Sequence, residues 1–169
     1  MRVVFVLWTA LAHAQREWMD PAVGHSEVPL IHALVTDDIE RATKLLTEGA
    51  DPNVLEEITP LYAAQEYVHG SRRRHAIIRK LLQAGALADR PTRDGSTTLM
   101  LAVHHGDVRS AQMLLNHGAD PLHRNSKGAS AIEAAQQGGH DELSHMLREH
   151  IGESGLRQLG EIREPKVEL

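Results

Sequence analysis

Apolar residues in this chain recur at the spacing of short α-helices. Between residues 97 and 118, apolar positions three and four apart form two stripes, made of Leu99, Ala102 and Val103, and of Ala111, Leu114 and Leu115. Residues at this spacing lie on one face of a helix, so each stripe predicts one short amphipathic helix. Because neither helix can bury its stripe alone, the two must pack against each other and against neighbouring helices.

The same pattern occurs at other points of the chain. A Leu-Leu pair is followed by glycine at Gly49, Gly85 and Gly118, which are 36 and 33 residues apart. Glycine at this point suits the left-handed residue that ends a helix. Thr59-Pro60 suits a helix start, because threonine accepts a backbone N–H there and proline needs no donor. The chain is therefore expected to be a series of stacked helix pairs.

These residues resemble the ankyrin repeat, in which a turn and Thr-Pro-Leu-His open two antiparallel helices that end in Gly-Ala-Asp. The resemblance extends from about Val28 to His150 and is strongest between Asp94 and Asp120. It implies an all-α ankyrin-repeat solenoid of about four helix-turn-helix repeats, with short β-hairpin fingers, over residues 28–151. The histidine of the family pattern is replaced in this chain by Ile31, Tyr62, Met100 and Glu133.

The second repeat is longer than the third. Leu61 to Gly85 spans 24 residues, against 19 from Leu99 to Gly118, so five extra residues enter near 65–75. We expect them to lengthen the first helix or its turn, either as a binding loop or as a solvated loop without a partner. The fourth repeat is more polar and resembles a cap. Residues 152–169 are expected to form a C-terminal cap and tail.

The first residues have the pattern of a signal peptide. Met1-Arg2 precedes an apolar run, and Ala12-His13-Ala14 matches a cleavage site, so residues 1–14 are expected to be removed. Residues 15–27 would then lead into the repeats. The sequence has no cysteine and no Asn-x-Ser/Thr sequon, which favours a bacterial periplasmic protein. Alternatively, residues 1–14 form an N-terminal capping helix and the protein is cytoplasmic.

Composition and motifs argue against several kinds of function. The net charge is −5 and the only basic run is Arg72-Arg73-Arg74, so a nucleic-acid or membrane partner has little support. The 12 histidines lack the spacing of a metal site, and no cysteine is present to ligate one. The serines lack a Gly-x-Ser-x-Gly elbow, and no glycine-rich phosphate loop occurs. No catalytic, cofactor or metal site is therefore predicted.

The resemblance places protein binding on the finger tips and on the exposed ends of the first helices, and the insertion adds arginines to this set. Tyr67 is the preferred anchor because exposed aromatic residues often dominate interfaces, although packing in the enlarged repeat would explain it equally well. The expected partner-binding residues are Glu56, Glu57, Glu66, Tyr67, Arg72, Arg73, Arg93, Asp94, His104, His105, Ser126, Lys127, Gln136 and Gln137.

Three hypotheses about function follow. Small exported ankyrin proteins of bacteria are similar, and some of them are immunity proteins. The preferred hypothesis is therefore a periplasmic inhibitor that neutralises a toxin or a cell-wall hydrolase. A periplasmic adaptor or accessory factor in oxidative-stress defence is the alternative. The third hypothesis is an enzyme or metal buffer that uses the histidines. The first two require a protein partner and no cofactor.

Overall fold

The computed structural model describes residues 28–54 and 58–158, in which the chain forms helices joined by turns. The last helix is broken at Gly152, where φ is 60° and ψ is −166°. Within the described part the helices are α1 (Val28–Val35), α2 (Ile39–Thr47), α3 (Pro60–Tyr67), α4 (Ser71–Gln83), α5 (Thr98–His104), α6 (Val108–Asn116), α7 (Ala131–Gln137) and α8 (Asp141–Gln158).

The helices form two layers. In each repeat a first helix packs on a second helix, and both also contact their counterparts in the next repeat. The first-helix layer is α1, α3, α5 and α7, and the second-helix layer is α2, α4, α6 and α8. One apolar position at the start of each first helix is fully buried throughout the stack, as Leu30, Leu61, Leu99 and Ile132. The predicted solenoid of four repeats with one continuous aliphatic core is therefore confirmed.

Helix starts and ends follow the local signals in the sequence. Thr59 and Thr97 precede α3 and α5, and each hydroxyl accepts the backbone N–H three residues on. Ser130 does the same for α7 and forms a capping box with Glu133. After the second helix of repeat 2, Gly85 has a φ of 91°, a value that favours glycine. The first helices α3, α5 and α7 each have about two turns as a result.

The fingers between repeats are turns, and the structure contains no strand in the residues it describes. The second finger is closed by a hydrogen bond of 2.9 Å from Thr92 N to Ser96 O, and the third by one of 3.0 Å from Asn125 N to Ala129 O. Ser126 N also donates to Asp94 O at 3.0 Å, which joins the two fingers. The expected short β-hairpin fingers are therefore not seen in the described residues. Hydrogen-bonded turns take their place at the second and third fingers, because these segments are too short for a strand ladder.

Side chains at the bases of the fingers also connect consecutive repeats. Asn53 donates to Gly85 O at 2.9 Å and accepts from Leu87 N at 2.7 Å. Asp89 lies at the same position one repeat later and accepts from Asp120 N at 3.1 Å. A polar side chain four residues after the terminal glycine thus fixes the next turn. The fingers are held at a set spacing along the stack.

The five extra residues of repeat 2 lengthen mainly its second helix. Helix α3 has eight residues against seven in α5, whereas α4 has 13 against nine in α6. Both helix pairs are joined by three residues, 68–70 and 105–107. We expected the extra residues to lengthen the first helix or its turn, and this was wrong for four of the five. Those four form an added turn of helix at the start of α4. The arginine run lies in that helical turn and not in a loop.

Several expectations fall on residues that the structure does not describe. They are the signal peptide at 1–14, the lead-in at 15–27, Glu56 and Glu57 at the first finger tip, and the last part of the tail, 159–169. Within the described residues, no helix is both long enough and apolar enough to cross a membrane.

Candidate binding face

The expected contact residues on the first-helix layer are exposed and lie in rows. Glu66, His104 and Gln137 each lie five residues after the buried apolar residue that opens their helix, so they occupy one position in three successive repeats. His105 Nε2 lies 3.5 Å from Glu66 Oε2, and the rings of His104 and His105 are 5.6 Å apart. Polar side chains thus make contact between α3 and α5, and Gln137 continues the row on α7. Gln136 is exposed beside them.

The finger tips are exposed and are held by their own hydrogen bonds. Asp94 accepts from Thr92 and Ser96 within the second finger, and the Thr92 bond is the main reason why the pKa of Asp94 is lowered. In the third finger, Arg124 forms a bidentate pair with Glu133 of α7, at 2.9 and 2.8 Å. The carboxylate of Asp94 is thus already engaged within the chain. Arg93, Ser126 and Lys127 are exposed at the same tips.

We call the exposed finger tips and first-helix ends the binding face. It consists of Arg93, Asp94, Ser126 and Lys127 on the fingers, and of Glu66, His104, His105, Gln136 and Gln137 on the helices. Its side chains are charged or polar and are set on capped helices and cross-linked turns. Such a surface is suited to specific polar contacts made at a low cost in conformational entropy.

Tyr67 is less exposed than an interface anchor was expected to be. Its side chain is half-buried and packs against the hydrophobic core. Burial raises the pKa of Tyr67, and the neighbouring charge of Glu66 raises it further. These observations support the alternative role of packing the enlarged repeat. A contact between Tyr67 and a partner stays a prediction.

Tyr62 belongs beside the binding face, although the sequence alone did not place it there. It occupies the position of the family's histidine and is half-buried. Burial, and then the charges of Glu66, Asp94 and Tyr67, raise the pKa of Tyr62 to about 12. Its hydroxyl group is therefore near both a first-helix acid and a finger-tip acid. The departure from the family pattern was visible in the sequence, but its neighbours come from the fold.

Two of the arginines in the insertion bind neighbouring repeats. Arg73 donates to Asp37 Oδ2 and to Asp37 O, both at 2.9 Å, in the turn of repeat 1. Arg74 lies 3.4 Å from Asp107 Oδ2 in the turn of repeat 3. Arg72 and Arg73 were expected at the binding face, but both lie on α4 in the second-helix layer. The inserted helical turn therefore connects three repeats.

Asp107 is the centre of a half-buried polar cluster in the turn of repeat 3. It caps α6 by accepting from Ser110 N and Ser110 Oγ, and its Oδ1 lies 2.9 Å from His75 Nε2. Burial by itself would raise the pKa of Asp107, but the bonds from Ser110 and His75 outweigh it and bring the pKa to about 2. The cluster stabilises the junction of repeats 2 and 3.

Gln65 completes this cluster from the first-helix layer. Its side chain is fully buried, and Nε2 donates weakly to Asp107 Oδ2 at 3.4 Å. Its Oε1 has no hydrogen-bond partner among the described residues. The described residues also include no group of three or more histidine or acidic side chains that could hold a metal.

Comparison with known families gives one match that covers most of the chain. A model described as ankyrin repeats, with three copies, matches residues 30–125 and 67–157. The matched region contains all eight described helices apart from the ends of α1 and α8. It includes every residue of the binding face.

Three similar curated proteins match this chain over a small part of their own length. The potassium channel AKT1 of Oryza sativa subsp. indica is 35% identical over 72 residues, which are 43% of this chain and 8% of the channel. The ARF GTPase-activating protein GIT2 of Mus musculus is 40% identical over 72 residues, 41% of this chain and 10% of that protein. The mitochondrial disaggregase of Bos taurus is 32% identical over 106 residues, 62% of this chain and 15% of the disaggregase. The chain thus corresponds to a small part of each relative.

Proposed function

Because the chain belongs to the ankyrin-repeat family, whose repeats are protein-binding modules, we propose that it is a non-enzymatic inhibitor that covers a protein partner with its binding face. The observation that supports this most is the row from Glu66 through His104 to Gln137, which continues across three repeats and is bordered by fixed fingers. In stacked repeats, extended surfaces of this kind are the usual sites of binding. The partner that we propose is a toxin or a cell-wall hydrolase, and the chain would be its immunity protein.

Charge gives this proposal limited further support. The chain carries a net charge of −5, whereas the binding face has two acidic residues, Glu66 and Asp94, and two basic ones, Arg93 and Lys127. An acidic inhibitor suits a basic partner, since complementary charges accelerate association and disfavour wrong partners. The expected signal peptide would bring the inhibitor to the same compartment as an envelope hydrolase.

Capture of partners from an envelope extract, with identification by mass spectrometry, tests the proposed function. We expect one tightly bound hydrolase or toxin, and we expect the double variant His104→Ala with Gln137→Ala to bind it about tenfold more weakly, as loss of central contacts does. The matched control is Gln112→Ala with Asn116→Ala. Within the part of the chain that the structure describes, these two exposed side chains on α6 bond only to each other. Equal capture by both variants would contradict the binding face.

The alternative function is a periplasmic adaptor or accessory factor in oxidative-stress defence. The similar proteins are a potassium channel, an ARF GTPase-activating protein and a mitochondrial disaggregase, and each is much longer than its matched segment. A segment found in such different proteins suits an adaptor. Several partners captured through the same face would favour this alternative over the inhibitor. Metal retained in stoichiometric amount after dialysis would instead favour the metal-buffer hypothesis.

Export is tested independently of binding. If residues 1–14 are a signal peptide, the protein recovered from the envelope fraction should begin at Gln15. N-terminal sequencing of that fraction measures this directly. An intact Met1 in the exported protein would show that cleavage does not occur there, and retention of the whole chain in the cytoplasm would favour the capping-helix alternative.

A further inference from the structure

Helix α4 has an unusual charge composition for this chain. Its 13 residues, SRRRHAIIRKLLQ, include five basic side chains and no acidic one, although the whole chain has a net charge of −5. The buried face consists of Ile77, Ile78, Leu81 and Leu82, so the basic side chains lie around the rest of the helix. A concentrated positive charge therefore lies on the second-helix layer of an acidic protein.

Contacts within the chain account for two of the five basic residues. Arg73 is paired with Asp37, and Arg74 with Asp107. Arg72, Arg79 and Lys80 are exposed, and none of them forms an ion pair with a described residue. We call these three the basic strip. Arg72 and Arg79 are seven positions apart on nearly the same face, at a distance of roughly 10 Å along the helix axis.

The preceding repeat shows how such a charge is neutralised elsewhere in the stack. Lys44 of α2 occupies the same position as Lys80 of α4, five residues before the terminal glycine. Lys44 Nζ lies 3.8 Å from Glu48 Oε1, one helical turn away. The residue that corresponds to Glu48 in repeat 2 is Ala84, so Lys80 has no such partner.

Helix stability explains only part of the basic strip. Lys80 lies in the last turn of α4, where positive charge favours the helix dipole, but Arg72 lies in the first turn. The first turn of α4 contains three arginines and no acidic residue, and Gly70 supplies no side-chain cap. Positive charge at this end opposes the helix dipole and slightly destabilises the helix. Ion pairs compensate for Arg73 and Arg74, but not for Arg72. Local features that lower stability without compensation are most often found where a protein binds something.

We propose that the basic strip is a second interaction surface, which binds an acidic segment of a protein partner. Its length matches a short run of aspartate and glutamate, since three charges span little more than two turns of helix. Three basic side chains are too few for a long polyanion such as nucleic acid or for an anionic membrane, both of which need many phosphate contacts. Helix α4 also has no aromatic residue on which a base could stack.

The basic strip lies in the second-helix layer, whereas the binding face is formed by the first helices and the fingers. One partner can therefore occupy each surface without displacing the other. This inference is independent of the inhibitor proposal. A chain that fails to capture a hydrolase could still bind an acidic segment through α4.

The test uses a 12-residue glutamate-rich peptide with a fluorescent label, titrated into the full chain at low ionic strength. Amide chemical shifts in two-dimensional NMR should change most at the exposed positions of α4. Fluorescence anisotropy should show that Arg79→Glu with Lys80→Glu weakens binding by about tenfold or more, because two favourable charge pairs become repulsive. Raising the salt to physiological strength should weaken binding by wild type as well.

The matched control is Lys44→Glu against Lys80→Glu. Both change the same charge at the same position of neighbouring repeats, and both residues are exposed. We expect about a fivefold loss of affinity for Lys80→Glu and less than twofold for Lys44→Glu, because Lys44 is already paired with Glu48. The neutral variant Arg79→Gln with Lys80→Gln should also weaken binding. It removes the positive charge without reversing it, so it controls for the possibility that charge reversal prevents folding.

Three results would overturn the proposal. The first is peptide binding that is equal in wild type and in the Arg79→Glu with Lys80→Glu variant, and the second is a set of shift changes that lie on the fingers and not on α4. The third is tighter binding to a 12-base-pair DNA duplex or to vesicles containing phosphatidylserine than to the peptide. That result would identify the wrong class of partner.

Discussion

Replacing Asp107 by alanine is expected to lower the free energy of unfolding by about 3 kcal/mol. The variant loses the cap of α6, and it removes the acceptor from His75, Arg74 and Gln65 in a half-buried site. Urea denaturation followed by circular dichroism measures the change. A loss that large would show that the turn cluster joins repeats 2 and 3 and does more than begin a helix.

The control for this variant is Asp38→Ala. Asp38 caps α2 in repeat 1 in the same way, but it is exposed and, among the described residues, accepts only from Arg41 N, at 3.0 Å. We expect a loss of about 1 kcal/mol, the usual value for a helix cap. If the two variants were destabilised equally, the bonds from Arg74, His75 and Gln65 would contribute nothing to stability.

The pKa of Asp107 gives this cluster a defined pH dependence. The folded-state pKa of about 2 lies below the ordinary value of 3.8, so the ionised carboxylate stabilises the fold above about pH 4. That contribution is lost as the pH falls towards 2, and it amounts to about 2 kcal/mol. The variant Asp107→Asn has no such titration. Its deficit relative to wild type should therefore shrink between pH 4 and pH 2.

Replacing Leu99 by alanine is the second large effect, with an expected loss of about 3 kcal/mol. Leu99 is fully buried between the repeats, and shortening it leaves a cavity that the capped helices cannot close easily. The midpoint of urea denaturation should fall markedly. Because each repeat is stabilised by its neighbours, loss at this central position should also weaken the cooperativity of unfolding.

The exposed Leu87 provides the comparison for this prediction. It lies at the base of the second finger and is 59% exposed, so Leu87→Ala removes the same atoms without opening a cavity. We expect a change within about 0.5 kcal/mol of zero. A large loss from Leu87→Ala, or a small one from Leu99→Ala, would contradict the assignment of the core.

The two surfaces described above differ in how they could be recognised. The binding face was expected from the resemblance to the ankyrin family, and Glu66, His104 and Gln137 occupy one exposed position in three successive repeats. The basic strip could not be recognised in this way. Asp37 forms its ion pair with Arg73 and not with Arg72. Asp37 lies more than 30 residues earlier in the sequence and becomes a neighbour of α4 only through stacking.

The sequence by itself determined the family, the number of repeats and the limits of most helices. Signals such as Thr59-Pro60 and Gly85 act on the backbone within a few residues, so they give the same result wherever the repeat lies. The tertiary structure alone decided that the insertion extends α4, that Tyr67 packs against the core, and that Arg73 and Arg74 bind other repeats. Those outcomes depend on which side chains approach from neighbouring repeats, and stacking brings together residues that no local pattern connects.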